Sequence, residues 1–140
     1  MKLQQNTRLA LYSLLEFASH PDRKIAAAEI AEKYEVSSHH LAKVLAELSR
    51  TGMVQSVRGV GGGYRFTGNA RRLTLMDVIS LFEDTVPSEH AARDGTAVEQ
   101  ALTSVLSEVD AIARASMSSI TLATMLRMVE RQHDVQARDG

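Results

Sequence analysis

The chain has 140 residues, of which 44% are hydrophobic and 24% charged, as expected for one globular domain or a small domain with an appended element. It contains no cysteine, which excludes disulfides, thiolate-bound zinc and cysteine-ligated iron–sulfur clusters, and no apolar run approaches the roughly 18 to 20 residues that span a bilayer. Residues 1–72 carry 11 Lys and Arg against 6 Asp and Glu (+5), whereas residues 73–140 carry 5 against 11 (−6). This asymmetry suggests that the first half meets a polyanion.

The first fifty residues predict three helices. Residues 5–20 have apolar side chains at helical spacing, and residues 26–35 form a shorter helix. Ser37 or Ser38 is suited to cap a third helix, which ends at Thr51 and Gly52. The apolar face of that helix consists of Leu41, Val44, Leu45 and Leu48. The short turn between the second and third helices indicates a helix-turn-helix.

A hairpin is predicted directly after the third helix. Residues 53–58 and 64–67 alternate in polarity and flank the glycine-rich run GVGGG. A phosphate-binding loop would end in Gly-Lys-Ser/Thr ahead of a helix, but here Tyr64 follows in a second strand. A hairpin after a helix-turn-helix is a wing, and its glycines allow a close approach to a neighbouring surface.

Three features are predicted in the second half: a helix over 73–84, a loop up to Gly95 and a long helix from Thr96. Ser118 or Ser119 is expected to cap or precede a final helix. The long helix has an apolar stripe that needs a cover, either a second subunit or, in a monomer, its own domain. The stripe consists of Val98, Leu102, Val105, Leu106, Val109 and Ile112.

Three segments together resemble the Rrf2 family of winged-helix regulators: SSHHLAKVLAELSRTGMV, QSVRGVGGGYRF and LTLMDVISLFED. The opening QNTRLALYSLLEFA and the late SSITLATML also resemble that family, so the similarity covers nearly the whole chain. The resemblance implies a dimeric transcription regulator in which each subunit contributes a winged helix to one half of a palindromic operator. We expect a repressor.

The expected fold is therefore mainly α with a small β-hairpin. Residues 1–84 would form the winged helix-turn-helix DNA-binding domain, and residues 85–140 the loop, the long dimerisation helix and the C-terminal helix. The first turns of a recognition helix usually reach base edges and phosphates, and arginines beside a wing tip can donate to phosphates. The predicted DNA-binding residues are Ser37, Ser38, His39, His40, Lys43, Arg58, Gly59, Gly61, Gly62, Gly63, Tyr64 and Arg65.

The sequence departs from the family where cluster-binding members carry cysteines. Gln100 falls at the third cysteine position, and Thr103 at the position of a histidine ligand of some members. No cofactor is therefore expected, and the cluster-sensing function does not carry over. The adjacent loop contains Glu89, His90 and Asp94, which are either solvated or a nitrogen/oxygen metal site.

The expected partners are double-stranded DNA and a second copy of the chain, with an unidentified small-molecule effector left open. The start of the chain lacks a signal peptide's apolar block, so we expect a cytoplasmic protein without membrane contact. No catalytic motif is present, so an enzyme is not expected. A winged-helix protein–protein adaptor is the alternative from another class, and steep salt dependence of duplex binding separates the two.

Overall fold

The computed structural model describes residues 2–83 and 95–140. The first described range contains α1 (Gln5–Ser19), α2 (Ala27–Lys33), α3 (Ser38–Arg50), β1 (Val54–Val57), β2 (Gly63–Phe66) and α4 (Leu75–Phe82). The second contains α5 (Ala97–Ser119) and α6 (Leu122–Asp139). The expected architecture, mainly helical with one antiparallel hairpin, is confirmed. No helix of these two ranges is both long and apolar enough to cross a membrane.

The core lies between α1, α3 and the hairpin. Apolar residues three and four positions apart on each helix point to the same side, and this side is buried. Leu14 and Phe17 of α1 and Leu45 of α3 have no exposed surface. Leu122, from the start of α6, belongs to the same core although it lies far along the chain. The core therefore draws on both halves of the sequence.

The N-terminus of α1 is capped by a residue from the other end of the winged helix. Gln4 precedes α1 without a side-chain cap, and the first turn contains no acidic residue. Instead, Oε1 of Glu83 accepts hydrogen bonds from the Gln4 backbone N–H at 2.7 Å and from the hydroxyl of buried Thr7 at 3.0 Å. A carboxylate at this end also complements the positive end of the helix dipole. Glu83 thus fixes α1 to the end of α4.

The hairpin is paired on both sides. Within it, Val54 lies opposite Phe66 and Val57 opposite Gly63. Ile25, in the link between α1 and α2, pairs with Tyr64 through backbone hydrogen bonds of 2.9 and 2.8 Å. The sequence predicted two strands and missed this third contact, because a single residue pair leaves no alternating pattern.

The link before α4 and the link before α6 are joined by backbone hydrogen bonds. The N–H of Leu75 donates to Ile120 at 2.9 Å, and that of Leu122 donates to Leu73 at 2.8 Å. Thr121 caps α6 by accepting from the Thr124 N–H at 3.2 Å, so Ser118 and Ser119 precede the final helix, as one form of the prediction had it, but do not cap it. Both serines instead lie inside the last turn of α5.

The bounds of some elements differ from the prediction. The helix expected over 73–84 spans Leu75–Phe82, because Thr74 and Asp77 form a capping box at its start and Glu83 has an extended backbone. The second strand lies one residue earlier than predicted, at Gly63–Phe66. Its first residue, Gly63, belongs to the glycine-rich run, where no alternation of polarity marks the start of a strand.

Candidate nucleic-acid interface

The start of α3 presents polar side chains to solvent. Ser37 caps the helix by accepting from the His40 backbone N–H at 3.1 Å, which settles the choice between the two serines. Ser38, His39 and Lys43 are exposed, and His40 is half-buried. The opposite side of α3 consists of the buried residues Leu41, Val44, Leu45 and Leu48. The core therefore fixes which side of α3 is free to meet a ligand.

The wing tip is a tight four-residue turn. The Gly62 N–H donates to the Gly59 carbonyl at 2.9 Å, and Gly61 has a φ of 72°. A positive φ at the third position is the mark of a type II turn and favours glycine there. Arg58 lies just before the turn and Arg65 lies after it in β2, and both side chains are exposed.

Two of the predicted DNA-contact glycines are required by the fold itself. A Cβ on Gly63 would lie 2.5 Å from the Ile25 carbonyl oxygen, and one on Gly62 would lie 2.6 Å from the Val57 carbonyl oxygen. The ring of Tyr64 lies 6.0 Å from that of Phe17, at the edge of the core. These three residues have a structural role in the hairpin that is independent of any DNA contact.

A group of hydrogen bonds holds α1 against α2, next to the start of α3. Oε1 of Glu16 accepts from Lys33 Nζ and from the Tyr34 hydroxyl, both at 2.5 Å. Burial raises the pKa of Glu16, but the two hydrogen bonds outweigh it and the net pKa is lowered. Burial, together with the bond to Glu16, raises the pKa of Tyr34. The Tyr34 ring also stacks on Tyr12, with the ring centroids 5.0 Å apart.

The segment that contains α3 and the wing has an excess of positive charge. Residues 36–76 contain six Lys and Arg and a single carboxylate, that of Glu47. Arg50 forms an ion pair with Glu47 one turn along α3, and this hydrogen-bonded pair lowers the pKa of Glu47. The remaining cations of this stretch are Lys43, Arg58, Arg65, Arg71 and Arg72, all exposed. Such a concentration of positive charge beside an exposed helix attracts a polyanion.

Val60 was not among the predicted site residues. It occupies the second position of the wing turn, and its relative exposure is 105%. GVGGG as a whole was predicted to form the tip of the hairpin, and the place of Val60 between Gly59 and Gly61 is the signal that could have singled it out.

Within residues 2–83 and 95–140, nothing covers the apolar stripe of α5. No residue of α5 is buried, and exposures along the stripe run from 57% at Leu106 to 78% at Val98. Five of the stripe residues, Val98, Leu102, Val105, Val109 and Ile112, are alternately four and three positions apart, which is the spacing of a coiled-coil seam. α4 packs against α5, and α6 against α1. The stripe residues are Val98, Leu102, Val105, Leu106, Val109 and Ile112.

The order of helix-turn-helix, hairpin and long helix, with a basic exposed recognition surface, defines a winged-helix transcriptional regulator. Residues 3–128 match the family described as "Rrf2: Iron-dependent Transcriptional regulator". The chain is 45% identical over 133 residues to a protein of Rhodopseudomonas palustris named as the HTH-type transcriptional regulator BadM, covering 94% of this chain and 85% of that protein. It is also 33% identical over 87 residues to the HTH-type transcriptional regulator IscR of Vibrio campbellii, covering 61% of this chain and 52% of that protein.

Two solved structures have the same fold. The structure of T. potens IscR superposes with a TM-score of 0.76 at 26% identity, covering 94% of this chain and 90% of that one. The structure of CymR, the global cysteine regulator of B. subtilis, superposes with a TM-score of 0.76 at 22% identity, covering 91% and 98%. The chain belongs to the Rrf2 family of transcriptional regulators, and it is not an enzyme.

The residues of this chain do not fit a thiolate-held iron–sulfur cluster. The chain has no cysteine, and the Gln100 amide, at a family cysteine position, donates to the Gly95 carbonyl at 3.0 Å. Clusters in proteins are held mainly by cysteine thiolates, with histidine as an occasional replacement. Glu89, His90 and Asp94, the candidate nitrogen/oxygen metal site, lie outside the described residues.

Proposed function

We propose that this regulator binds a palindromic DNA operator as a homodimer, represses transcription there and does so without an iron–sulfur cluster. The observation that carries the proposal is the exposed start of α3 beside an arginine-flanked wing, on a surface with one carboxylate in residues 36–76. In this arrangement α3 enters the major groove, and Ser38, His39 and Lys43 face base edges and phosphates.

The test is selection of duplexes from a random library, followed by binding measurements at several salt concentrations. A DNA-binding protein enriches a common sequence, and its binding constant falls steeply with salt. Arg58→Ala tests the wing. If Arg58 contacts a phosphate, the salt slope decreases by about one and every duplex is affected alike. If Arg58 instead makes two hydrogen bonds to one base edge, the binding free energy for the selected duplex weakens by about 1–3 kcal/mol and sequence specificity relaxes.

Arg138→Ala is the matched control, because Arg138 is an exposed arginine in the last turn of α6 and in the acidic half of the chain. It should leave both the salt slope and the affinity unchanged. Equal effects of the two substitutions, or none from either, would remove Arg58 from the interface. If no sequence is enriched and no salt dependence appears, the DNA-binding proposal itself fails.

The homodimer proposal rests on the apolar stripe of α5. This helix has 23 residues and is therefore about 35 Å long. Two copies that pair along the stripe bury apolar side chains that the single chain leaves exposed, and two-fold symmetry then places two winged helices on two half-sites. Sedimentation equilibrium should give a dimer for the wild type and a monomer for Leu102→Asp. Ser107→Asp, on the opposite side of the same helix, should remain dimeric. A monomeric wild type would contradict the proposal.

Repression requires only that the bound dimer occupy its operator, so a reporter gene downstream of the selected sequence should be less active when the protein is present.

The proposed independence from a cluster predicts that protein prepared without air is colourless, contains no stoichiometric iron and still binds the selected duplex. Visible charge-transfer absorption in such a preparation would contradict it. If the regulator responds to a signal, that signal should reach it through a non-thiol effector that alters the spacing of the two winged helices.

A further inference from the structure

Val60 is the single side chain on the tip of the wing. Residues 59–63 are otherwise glycine, and the side chain of Val60 is completely exposed at the second position of the turn. Apart from this residue the tip is bare backbone, which makes it thin. The minor groove of B-DNA is about 6 Å wide, so a tip of this kind can enter it, whereas a tip with several large side chains cannot.

The turn itself gives no reason for a valine. Proline is favoured at the second position of type II turns because its φ is already suitable, and β-branched residues have no such advantage. Val60 also has no packing role in the chain, since nothing covers it. An apolar residue placed against local preference on an exposed tip, between Arg58 and Arg65, indicates a contact made with a ligand.

The chemistry of the minor groove then limits what an isopropyl group can recognise. A·T and T·A pairs present only acceptors on the groove floor, whereas G·C adds the 2-amino donor of guanine. Valine has no acceptor for that donor, so a guanine beneath it would have an amino group buried without a partner. Resting on the proposed DNA binding, we propose that Val60 lies in the minor groove beside the recognition helix and excludes guanine from the base pair beneath it.

Inosine, which is guanine without its 2-amino group, provides the test. In the selected duplex, each base pair that flanks the sequence contacted by α3 is replaced in turn by A·T, G·C or inosine·cytosine. The replacement is made at the same position in both half-sites. Inosine·cytosine has the major groove of G·C but the minor groove of A·T. At one position in each half-site, G·C should weaken binding of the wild type about tenfold, as one unfavourable pair typically does, while inosine·cytosine binds like A·T.

Val60→Gly should remove that discrimination, so that all three pairs bind within about twofold of one another at the same position. Val57→Ala is the control: it alters another valine of the hairpin, half-buried on β1, and should keep the preference. Unchanged thermal midpoints show that both variants are folded. The proposal is overturned if inosine·cytosine binds as weakly as G·C at every position, or if Val60→Gly keeps the tenfold preference. Either result would leave DNA binding intact, whereas failure to enrich any duplex would instead remove the proposed function.

Discussion

The contact between Glu83 and the start of α1 predicts an energetic coupling between residues 76 positions apart. We expect Glu83→Ala to lower the free energy of unfolding by about 2–4 kcal/mol. One part comes from Gln4, whose N–H loses its cap, and losing a helix N-cap typically costs about 1 kcal/mol. The other part comes from Thr7, whose fully buried hydroxyl is left without an acceptor, at a cost of about 1–3 kcal/mol.

A double-mutant cycle separates these two parts. In Thr7→Val the hydroxyl is replaced by a methyl group of similar size, so no buried donor remains when Glu83 is removed. Glu83→Ala should then cost only about 1 kcal/mol, the value of the cap alone, which gives a coupling of about 1–3 kcal/mol. Glu130→Ala, at an exposed glutamate of α6, should change stability by less than about 0.5 kcal/mol.

Urea unfolding of the four proteins of the cycle, followed by circular dichroism, measures the coupling. One protein concentration is used throughout, because the stability of the proposed dimer would depend on concentration. The slope of the unfolding free energy against urea concentration should be the same for all four proteins, as expected when their unfolded states are equivalent. A coupling of zero within about 0.3 kcal/mol would show that Glu83 does not hold Thr7, and that α1 does not depend on α4 for its cap.

Three further predictions concern stability and are measured by the same unfolding experiment. Gly63→Ala should cost about 2–4 kcal/mol, because a Cβ cannot fit beside the backbone of Ile25 without breaking two hydrogen bonds. Gly68→Ala, whose Cβ would meet only side-chain atoms, should cost less, and equal costs would contradict the argument. Glu16→Gln should cost about 1 kcal/mol at pH 7. Because the pKa of Glu16 is lowered by folding, this cost should disappear as the pH falls below about 4.5, and a cost that persists in acid would exclude a role for the carboxylate charge. Leu122→Ala should cost about 2–5 kcal/mol, and a cost below about 1 kcal/mol would mean that this position contributes little to the core.

Much of the fold could be predicted because its signals are local. The apolar spacing in α1 and α3 and the alternation that flanks the glycine run each depend on a few neighbouring residues. The left-handed cap at Gly52, with a φ of 80°, also follows from residue type and position. The stripe of α5 was recognisable for the same reason.

The contacts that were missed join residues distant in sequence. Glu83 capping α1, Ile25 pairing with Tyr64 and Leu122 filling the core all depend on how the elements meet in space. The cap of α6 could not be assigned to Thr121 from the sequence, for a related reason. Serine and threonine are both good N-caps, and the choice of Thr121 over the preceding serines follows from where the backbone pairs with the link before α4.

The position of Leu122 in the core has a consequence for how the protein folds during synthesis. α1, α3 and the hairpin leave the ribosome first, but the side chain that completes their core is added 40 residues after Phe82. At about 5–20 residues per second, the growing chain spends roughly 2–8 s with this apolar surface uncovered. In the finished protein the same apolar surface is buried completely, so the exposure is confined to synthesis. A nascent chain that ends shortly before Leu122 should therefore bind chaperones or aggregate more readily than one in which α6 has begun.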